Sequence, residues 1–552
     1  MNPFLKVDNL SISYSGDSVQ ATTIVKSISF ELYPGKTLAL VGQSGSGKTL
    51  TAYSLLGLLP EGDFFVGGKV YLESKSGENK DLLSLPKTAL KKIRGKEIGF
   101  VFQDPTSALN PVYTIGEQLA EAVKQTRKVS FSAAREIAKD LLKEVSFKLP
   151  ENIFNAYPHE LSGGEKQRVM IATSIAGEPR VLIADEPTAS LDASSQSDII
   201  RLLHDLQLKH NLSVLLISHD LKLVEDIADD VLVMHQGEII EKGQTQNILA
   251  HPRHPFTKGL IACKPSPDKR NLKLPLMEDF FEQSAIKKIT DFDGSTSIIY
   301  SERETVNKIS RETPLINIQH LSVTYSRERG LFSGNSDSIR ALDNVSLNIF
   351  RGEILGLCGE SGSGKSTLGR AILQLVKPIS GEIFFNNISL TKLKANELRM
   401  KRKDFQIVFQ NPLASLNPLR SIGESILEPL KIHHPKASAN EISGIALDAL
   451  LKVGLHEKIW HRLPHELSGG ELQRVCIARA ISLKPAFMVF DEPVSSLDLG
   501  AQAQIINLIQ ELRSSINLTV LFISHDLNLL RYLADRIVVL EKGSLTENVI
   551  IE

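Results

Sequence analysis

The chain repeats itself at long range. Ser162 recurs as Ser468, Asp185 as Asp491 and His219 as His525, each 306 residues further on. Stacked solenoid units repeat every roughly 20–50 residues, so this is a duplicated domain, and whatever one copy folds into the other must fold into as well. The copies run 4–260 and 314–548, with a segment 261–313 between them. Residues 251–313 carry eleven Lys/Arg and nine Asp/Glu without a sustained heptad, which reads as a linker rather than a coiled coil or a basic arm. The first copy holds about ten more residues before Gln103, around LESKSGENKDLLS, a polar stretch expected to be a surface loop.

Within each copy the apolar runs are short, rich in β-branched residues and nearly continuous. They are TLALVG, VLIADE and SVLLISHD in the first copy, with EILGLCG, AFMVFDE and TVLFISHD in the second. Such runs suit strands buried on both faces of a parallel sheet with helices between them, an α/β fold. Ligands of open parallel sheets gather at the carboxyl ends of the strands, so the residues that close these runs are the candidates for chemistry.

Composition narrows the function. With 552 residues, 42% hydrophobic and 23% charged, the chain has material for more than one core. A net charge of -1 and a pI near 6.9 give no basic excess, so nucleic acid is not expected as a partner. Cys263, Cys358 and Cys476 are scattered and odd in number, which predicts no disulfide framework, no zinc site and no iron–sulfur cluster. Cys358 and Cys476 are expected as small buried apolar groups. No run reaches the ~18 apolar residues of a membrane helix and MNPFLKVDNL lacks a leader pattern, so the chain is expected not to cross a membrane alone.

The strand ends carry a consistent set of groups. GQSGSGKT (42–49) and GESGSGKS (359–366) fit G-x-x-x-x-G-K-[ST] between an apolar strand and a helical run. Gly42, Ser44, Gly45, Ser46 and Gly47 in one loop, and Gly359, Ser361, Gly362, Ser363 and Gly364 in the other, are expected to wrap backbone N–H groups around phosphate oxygens at a helix N-terminus. Lys48 and Lys365 reach the β- and γ-phosphates in this reading, and Thr49 and Ser366 ligate Mg2+. Asp185 and Asp491 close buried strands and are placed to hold Mg2+ directly or through water. The next residues, Glu186 and Glu492, are candidates to orient or deprotonate an attacking water. Gln103 in VFQDP and Gln410 in VFQNP offer a neutral amide to the metal or the water, and His219 and His525 in ISHD offer a donor to a γ-phosphate.

One octapeptide remains, LSGGEKQR from Leu161 and LSGGELQR from Leu467. Ser162-x-x-Glu165 and Ser468-x-x-Glu471 are capping boxes. Capping does not require Gly163-Gly164 or Gly469-Gly470, which cost conformational entropy and suit a backbone that a ligand must approach closely. The octapeptide therefore reads as a second anion site, although each copy already has a phosphate loop.

In this order, and complete in both copies down to the SLD turns at 190–192 and 496–498, these motifs resemble the ATP-binding cassette family over nearly the whole chain outside the linker. The resemblance implies an α/β fold of two tandem P-loop NTPase domains, each with a RecA-like core, an antiparallel β subdomain and a helical signature subdomain. It implies ATP hydrolysis with Mg2+. It implies two cassettes packed head to tail, so that Ser468, Gly469 and Gly470 cover the nucleotide of the first phosphate loop and Ser162, Gly163 and Gly164 that of the second. Tyr14 and Tyr325 are expected on this basis to stack on adenine. Glu165 and Glu471 stand where the commonest signature has Gln, and a capping box accepts either.

More closely, QDPTSALNPVYTIGEQL (103–119), QNPLASLNPLRSIGESI (410–426), the tail HPRHPFTKGL (251–260) and YSRERGLFSG (325–334) resemble the ATPases of peptide-type importers. The resemblance implies two transmembrane permease subunits as partners, a solute-binding protein acting through them, and a peripheral place on the cytoplasmic side of the cell membrane. The match of His251 and His254 to the tail argues against a metal pair there. The second copy runs only a little beyond EKGSL, and a tail of this kind is not expected there. A soluble twin-cassette ATPase acting on the ribosome is the alternative, and the linker's lack of a basic excess disfavours it.

Overall fold

The apolar runs become the inner strands of a parallel sheet in each half. The computed structural model describes the chain except residues 1, 16–20, 61, 74–78, 190, 271, 282–287, 291–295, 299–311, 327–337, 551 and 552. Most of YSRERGLFSG and Ser190 of the first SLD turn therefore lie outside the described residues. The chain divides into two units, Met1–Ile261 and Ala262–Glu552.

In the first unit the sheet runs, from one edge, Ile98–Val101, Val181–Asp185, Ser213–Ile217, Thr37–Gly42 and Asp230–His235, all parallel, with Glu238–Gln244 added antiparallel. The second unit repeats that order with Phe405–Val408, Phe487–Asp491, Thr519–Ile523, Ile354–Cys358, Arg536–Glu541 and Ser544–Ile550. Thr37–Gly42, Val181–Asp185 and Ser213–Ile217 are buried along their whole length, which is why their sequences show no alternation.

Each unit adds an antiparallel sheet. Thr22–Leu32, Leu5–Tyr14, Phe64–Glu73 and Asn79–Asp81 pair in that order in the first, and Ser338–Phe350, Pro314–Ser326, Ser380–Phe385 and Ile388–Ser389 in the second. The stretch expected as a loop around LESKSGENKDLLS thus ends in an edge strand, Asn79–Asp81, because Asp81 also accepts hydrogen bonds from the N–H groups of Val70 (3.1 Å) and Leu83 (3.2 Å). Leu10, Ile12 and Val25 from this sheet join Leu40, Ile183 and Ile217 in one apolar core.

A helical layer follows the third element of each site. Thr114 caps Ile115–Arg127 and Ser421 caps Ile422–His433, both with a reciprocal glutamate. Gly116 and Gly423 let an aromatic ring lie flat on these helices: a Cβ at either position would stand 2.4 Å from Phe154 or 2.2 Å from Trp460. Among the described residues no helix is long and apolar enough to cross a membrane, and no group of three His, Cys, Asp or Glu could hold a metal ion. His254 is engaged elsewhere, its N–H donating to Glu241 (3.2 Å) and its Nδ1 accepting from Phe256 N (3.1 Å). Cys476 is buried as expected, but Cys358 is only half-buried, because it closes its strand where the phosphate loop begins.

The two units stabilise the start of the phosphate-loop strand differently. Asp229 and Asp535 accept the N–H groups of Thr37 and Ile354, both at 2.8 Å. The second unit alone adds a buried ion pair, Arg536 Nε to Glu353 Oε1 at 2.9 Å, with Arg536 also donating to the Asn348 carbonyl. Removing one partner of such a pair strands the other in a low-dielectric site. Arg536→Ala is expected to cost the second unit about 3–5 kcal/mol in urea unfolding, with the transition of the first unit unchanged.

Candidate nucleotide site

The phosphate loop of the first unit is held open by glycine. Gly42 lies so close to the next strand that a Cβ would sit 2.2 Å from the Met234 carbonyl, and Gly47 ends the loop at φ +101°. No side chain caps the helix Lys48–Leu55, so its first N–H groups stay directed at whatever the loop holds. Lys48 Nζ donates to the carbonyls of Gly42 (2.8 Å) and Gln43 (2.9 Å). Lys365 does the same to Gly359 and Glu360, both at 2.7 Å. Both lysines curl back over their own loops, and both loops keep a buried serine hydroxyl, on Ser46 and Ser363, that has no hydrogen-bond partner among the described residues.

The carboxylates sit where the sheet delivers them. Thr49 Oγ1 donates to Asp185 Oδ1 at 3.2 Å, and Ser366 Oγ to Asp491 Oδ1 at 2.8 Å. Asp185 is fully buried and its Oδ2 has no partner among the described residues. An orphaned carboxylate oxygen beside a hydroxyl and an ammonium group fits a hard divalent cation bound through oxygen, which is what Mg2+ requires.

Glu186 and Glu492 stand next to these aspartates with left-handed backbones, φ +47° and +48°. That conformation costs a non-glycine residue about 1–3 kcal/mol and persists only where surroundings enforce it. Here the Glu186 N–H donates to the Ile217 carbonyl at 2.9 Å, and that of Glu492 to Ile523 at 3.1 Å. The Glu186 carboxylate is gripped from both sides: Gln103 Nε2 donates to Oε2 at 2.9 Å and His219 Nδ1 lies 3.2 Å from Oε1. Gln410 and His525 hold Glu492 in the same way, at 3.0 and 3.5 Å. The glutamine, glutamate and histidine that follow three different strands thus converge in each unit, a mutual contact that no local sequence signal announces.

A family model described as ABC transporter matches residues 25–189 and 342–495. The chain belongs to the ABC transporter family. A second model, described as Oligopeptide/dipeptide transporter, C-terminal region, matches residues 240–281. The glutathione import ATP-binding protein GsiA of Shigella dysenteriae serotype 1 is 39% identical over 544 residues, 98% of this chain and 85% of its own length. Its counterpart in Salmonella choleraesuis is 38% identical over 547 residues, again 98% and 85%. A solved bacterial ABC transporter cassette, MJ0796, is 34% identical over 43% of this chain and 99% of its own, with a TM-score of 0.39. ATP-binding proteins of this family are ATPases, and so is this one.

The remaining ABC motifs are arranged as follows. Ser162 and Ser468 cap the helices Gly163–Ile175 and Gly469–Ile481 through complete boxes, each hydroxyl also donating to its glutamate, at 2.8 and 2.7 Å. Ser162, Gly163, Ser468 and Gly469 are exposed, while a Cβ on Gly164 or Gly470 would press on Ser195 or Ala501 at 3.1 or 3.0 Å. The second glycine of each pair thus sits against the helix that follows the SLD turn, and the first is the more exposed. Tyr14 and Tyr325 end antiparallel strands and are 42% exposed, enough free ring for stacking. Tyr325 lies beside the phosphate-loop helix, its hydroxyl 3.4 Å from Thr367 Oγ1. The SLD turns have a role that sequence reading missed: Asp192 and Asp498 cap the helices Ala193–His210 and Leu499–Ile516. The signal was an aspartate immediately ahead of a long helical run.

Charge in the site follows burial. Burial pushes Asp185 up to about 6, outweighing the hydrogen bond from Thr49, and raises Asp491. Burial works in the same direction on Glu186, but His219, Lys48 and Gln103 together hold it below the usual carboxylate range. For His219 burial acts downward and the bond and charge of Glu186 more than reverse it; for His525 the bond to Glu492 leads and the shift is also upward. Folding therefore favours protonated Asp185, a contribution fully present below the unfolded carboxylate pKa and lost as pH rises through about 6. Asp185→Asn is expected to stabilise the nucleotide-free chain at pH 7.5 by about 1–2 kcal/mol, the ionisation penalty less the cost of a buried amide N–H, and to stop ATP hydrolysis. Thermal melts read the first effect; near pH 4, where most of the ionisation penalty is gone and the amide cost remains, the variant should be no more stable than the parent.

Proposed function

We propose that this chain is the ATP-hydrolysing subunit of an importer for short peptides of the glutathione class, working through separate transmembrane permease subunits. A solute-binding protein would deliver the solute, and the chain would sit peripherally on the cytoplasmic side of the membrane. The likeness to glutathione import ATP-binding proteins over 98% of the chain carries this reading, and the peptide-transporter tail at 240–281 supports it. Further support comes from the glutamine-loop segments, where Val112 and Tyr113 in one unit and Leu413 and Leu419 in the other are exposed. Val112 and Leu419, each nine residues beyond the glutamine, are in register, and exposed apolar side chains so placed suit a protein partner. The relatives favour import over the ribosomal alternative.

Each of two composite sites would combine one phosphate loop with the opposite signature. Lys48, Thr49, Gln103, Asp185, Glu186 and His219 would act with Ser468, Gly469 and Gly470. Lys365, Ser366, Gln410, Asp491, Glu492 and His525 would act with Ser162, Gly163 and Gly164. Thr49 and Asp185 in one site, and Ser366 and Asp491 in the other, would hold Mg2+, which when bound would supply positive charge against the negative charge of the phosphates. Lys48 and Lys365 would exchange their own-loop carbonyls for phosphate oxygens, and Tyr14 and Tyr325 would stack on adenine. Glu186, ionised at neutral pH, would accept the proton of the attacking water. Since both its oxygens are engaged, Gln103 or His219 must first turn away.

Glu186→Gln with Glu492→Gln should leave ATP binding near its parental level and slow hydrolysis by on the order of 10²–10⁴; unaltered turnover removes these residues as bases. Capture of the tagged chain from its native membrane in mild detergent tests the transport reading directly. Two polytopic permeases should come with it, whereas ribosomal proteins without a permease would overturn it.

A further inference from the structure

Residues 262–280 do not hang between the units; they lie on the second one. Cys263 is fully buried and its thiol donates to the Pro275 carbonyl (3.1 Å), while Lys269 Nζ reaches the Ala262 carbonyl (3.2 Å), so the segment is folded back on itself. Leu274 and Met277 are buried with it. Much of its grip on the body of the unit runs through its own backbone. Asn507, a buried residue in the middle of Leu499–Ile516, donates from Nδ2 to the Leu274 carbonyl (2.8 Å) and accepts the Leu274 N–H on Oδ1 (3.1 Å). Tyr532 of the helix Leu527–Leu533, with no exposed surface, donates its hydroxyl to the Leu272 carbonyl at 2.8 Å. Arg270 donates to the Ala534 carbonyl (3.1 Å), and Lys273 pairs with Glu511 (2.7 Å).

The receiving face exists in one unit only. The positions 306 residues before Asn507, Glu511 and Tyr532 are Arg201, Asp205 and Asp226, all exposed. A guanidinium cannot accept an N–H, and an exposed aspartate cannot fill a buried aromatic position, so the first unit is not built to take such a segment. The two helices gripped in the second unit are the ones capped by Asp498, the last residue of the SLD turn, and by Asp526, after His525.

We propose that residues 262–280 are a strap and that the outer face of Leu499–Ile516 and Leu527–Leu533 is its receptor. The second cassette is then completed by chain that precedes its own first strand, and the helices behind Asp498 and His525 are braced by the first cassette's continuation. Matching of the peptide-transporter tail model to 240–281 agrees with this, since one sequence element extends from the first unit into the second. The inference needs neither the transported solute nor ATP turnover, so it stands or falls separately from the function proposed above.

The test uses the full chain with a protease site inserted between residues 301 and 302, so that cutting leaves the strap on the first fragment. Without nucleotide, the two fragments should co-elute in size exclusion. Leu274→Asp with Asn507→Ala should make the 301 fragments separate at concentrations at least ten-fold higher than the parent. Tyr532→Phe, which keeps the ring and removes one hydrogen bond, should give an intermediate shift and covers the case in which the double variant misfolds. Hydrogen exchange on the uncut double variant should rise in 499–516 and 527–533 and stay unchanged in 193–210. Separation of the parental 301 fragments, or co-elution that none of these substitutions weakens, would overturn the strap.

Discussion

A carboxylate at the end of a fully buried strand is the constraint around which each unit is arranged. Val181–Asp185 has apolar neighbours on both faces and a strand on either side, so Asp185 cannot reach bulk water by changing rotamer. Burying an ionised group is costly unless charge or hydrogen bonds compensate. Within the described residues Asp185 receives a single side-chain hydrogen bond, from Thr49, and its second oxygen receives none. The fold maintains a deficit that a cation can relieve, and the phosphate loop stands beside it because Thr37–Gly42 is only one strand removed in the sheet.

The duplication is strict where chemistry is concerned and loose elsewhere. The grip of Gln103 and His219 on Glu186 is repeated on Glu492, left-handed backbone included. By contrast, Glu353 and Arg536 form a buried pair where the first unit has Lys36 and Asp230, and Asn507 and Tyr532 replace an exposed arginine and aspartate. A site made of short contacts tolerates little change in both copies, whereas an outer helix face can be recast once a new segment covers it. Symmetry in the motifs therefore does not imply that the two cassettes are mechanically equivalent.

Much of this was legible in the sequence because strand ends punctuate. Each inner strand is an unbroken apolar run, and the residue that stops it is the one the sheet presents at its carboxyl edge, so Asp185, Gln103 and His219 could be named without coordinates. Their mutual contacts could not, since strand order in a parallel sheet is not a local property: Ile98–Val101 and Val181–Asp185 are neighbours across some eighty residues of sequence. Cys358 was misjudged because an apolar run does not say where along it burial stops. Segment 262–280 escaped for a different reason. Its anchoring uses carbonyls and N–H groups, which every residue has, and the side chains that specify it, Asn507 and Tyr532, lie more than 200 residues away.

The geometry around Glu186 bears on the order of events in turnover. The left-handed backbone is enforced by the sheet and does not depend on a ligand, so Glu186 is aimed before nucleotide arrives. Its carboxylate is nevertheless occupied, and the group on one side, Gln103, lies at the start of the segment that leads into the helical layer. An amide that must leave a carboxylate before water can take its place is a natural point at which movement of that layer decides whether hydrolysis proceeds. Histidine on the other side is held toward its protonated form by the same carboxylate. In the mechanism proposed above, the base would be oriented from the outset and made available late, so that nucleotide binding would come before the step that destroys the nucleotide.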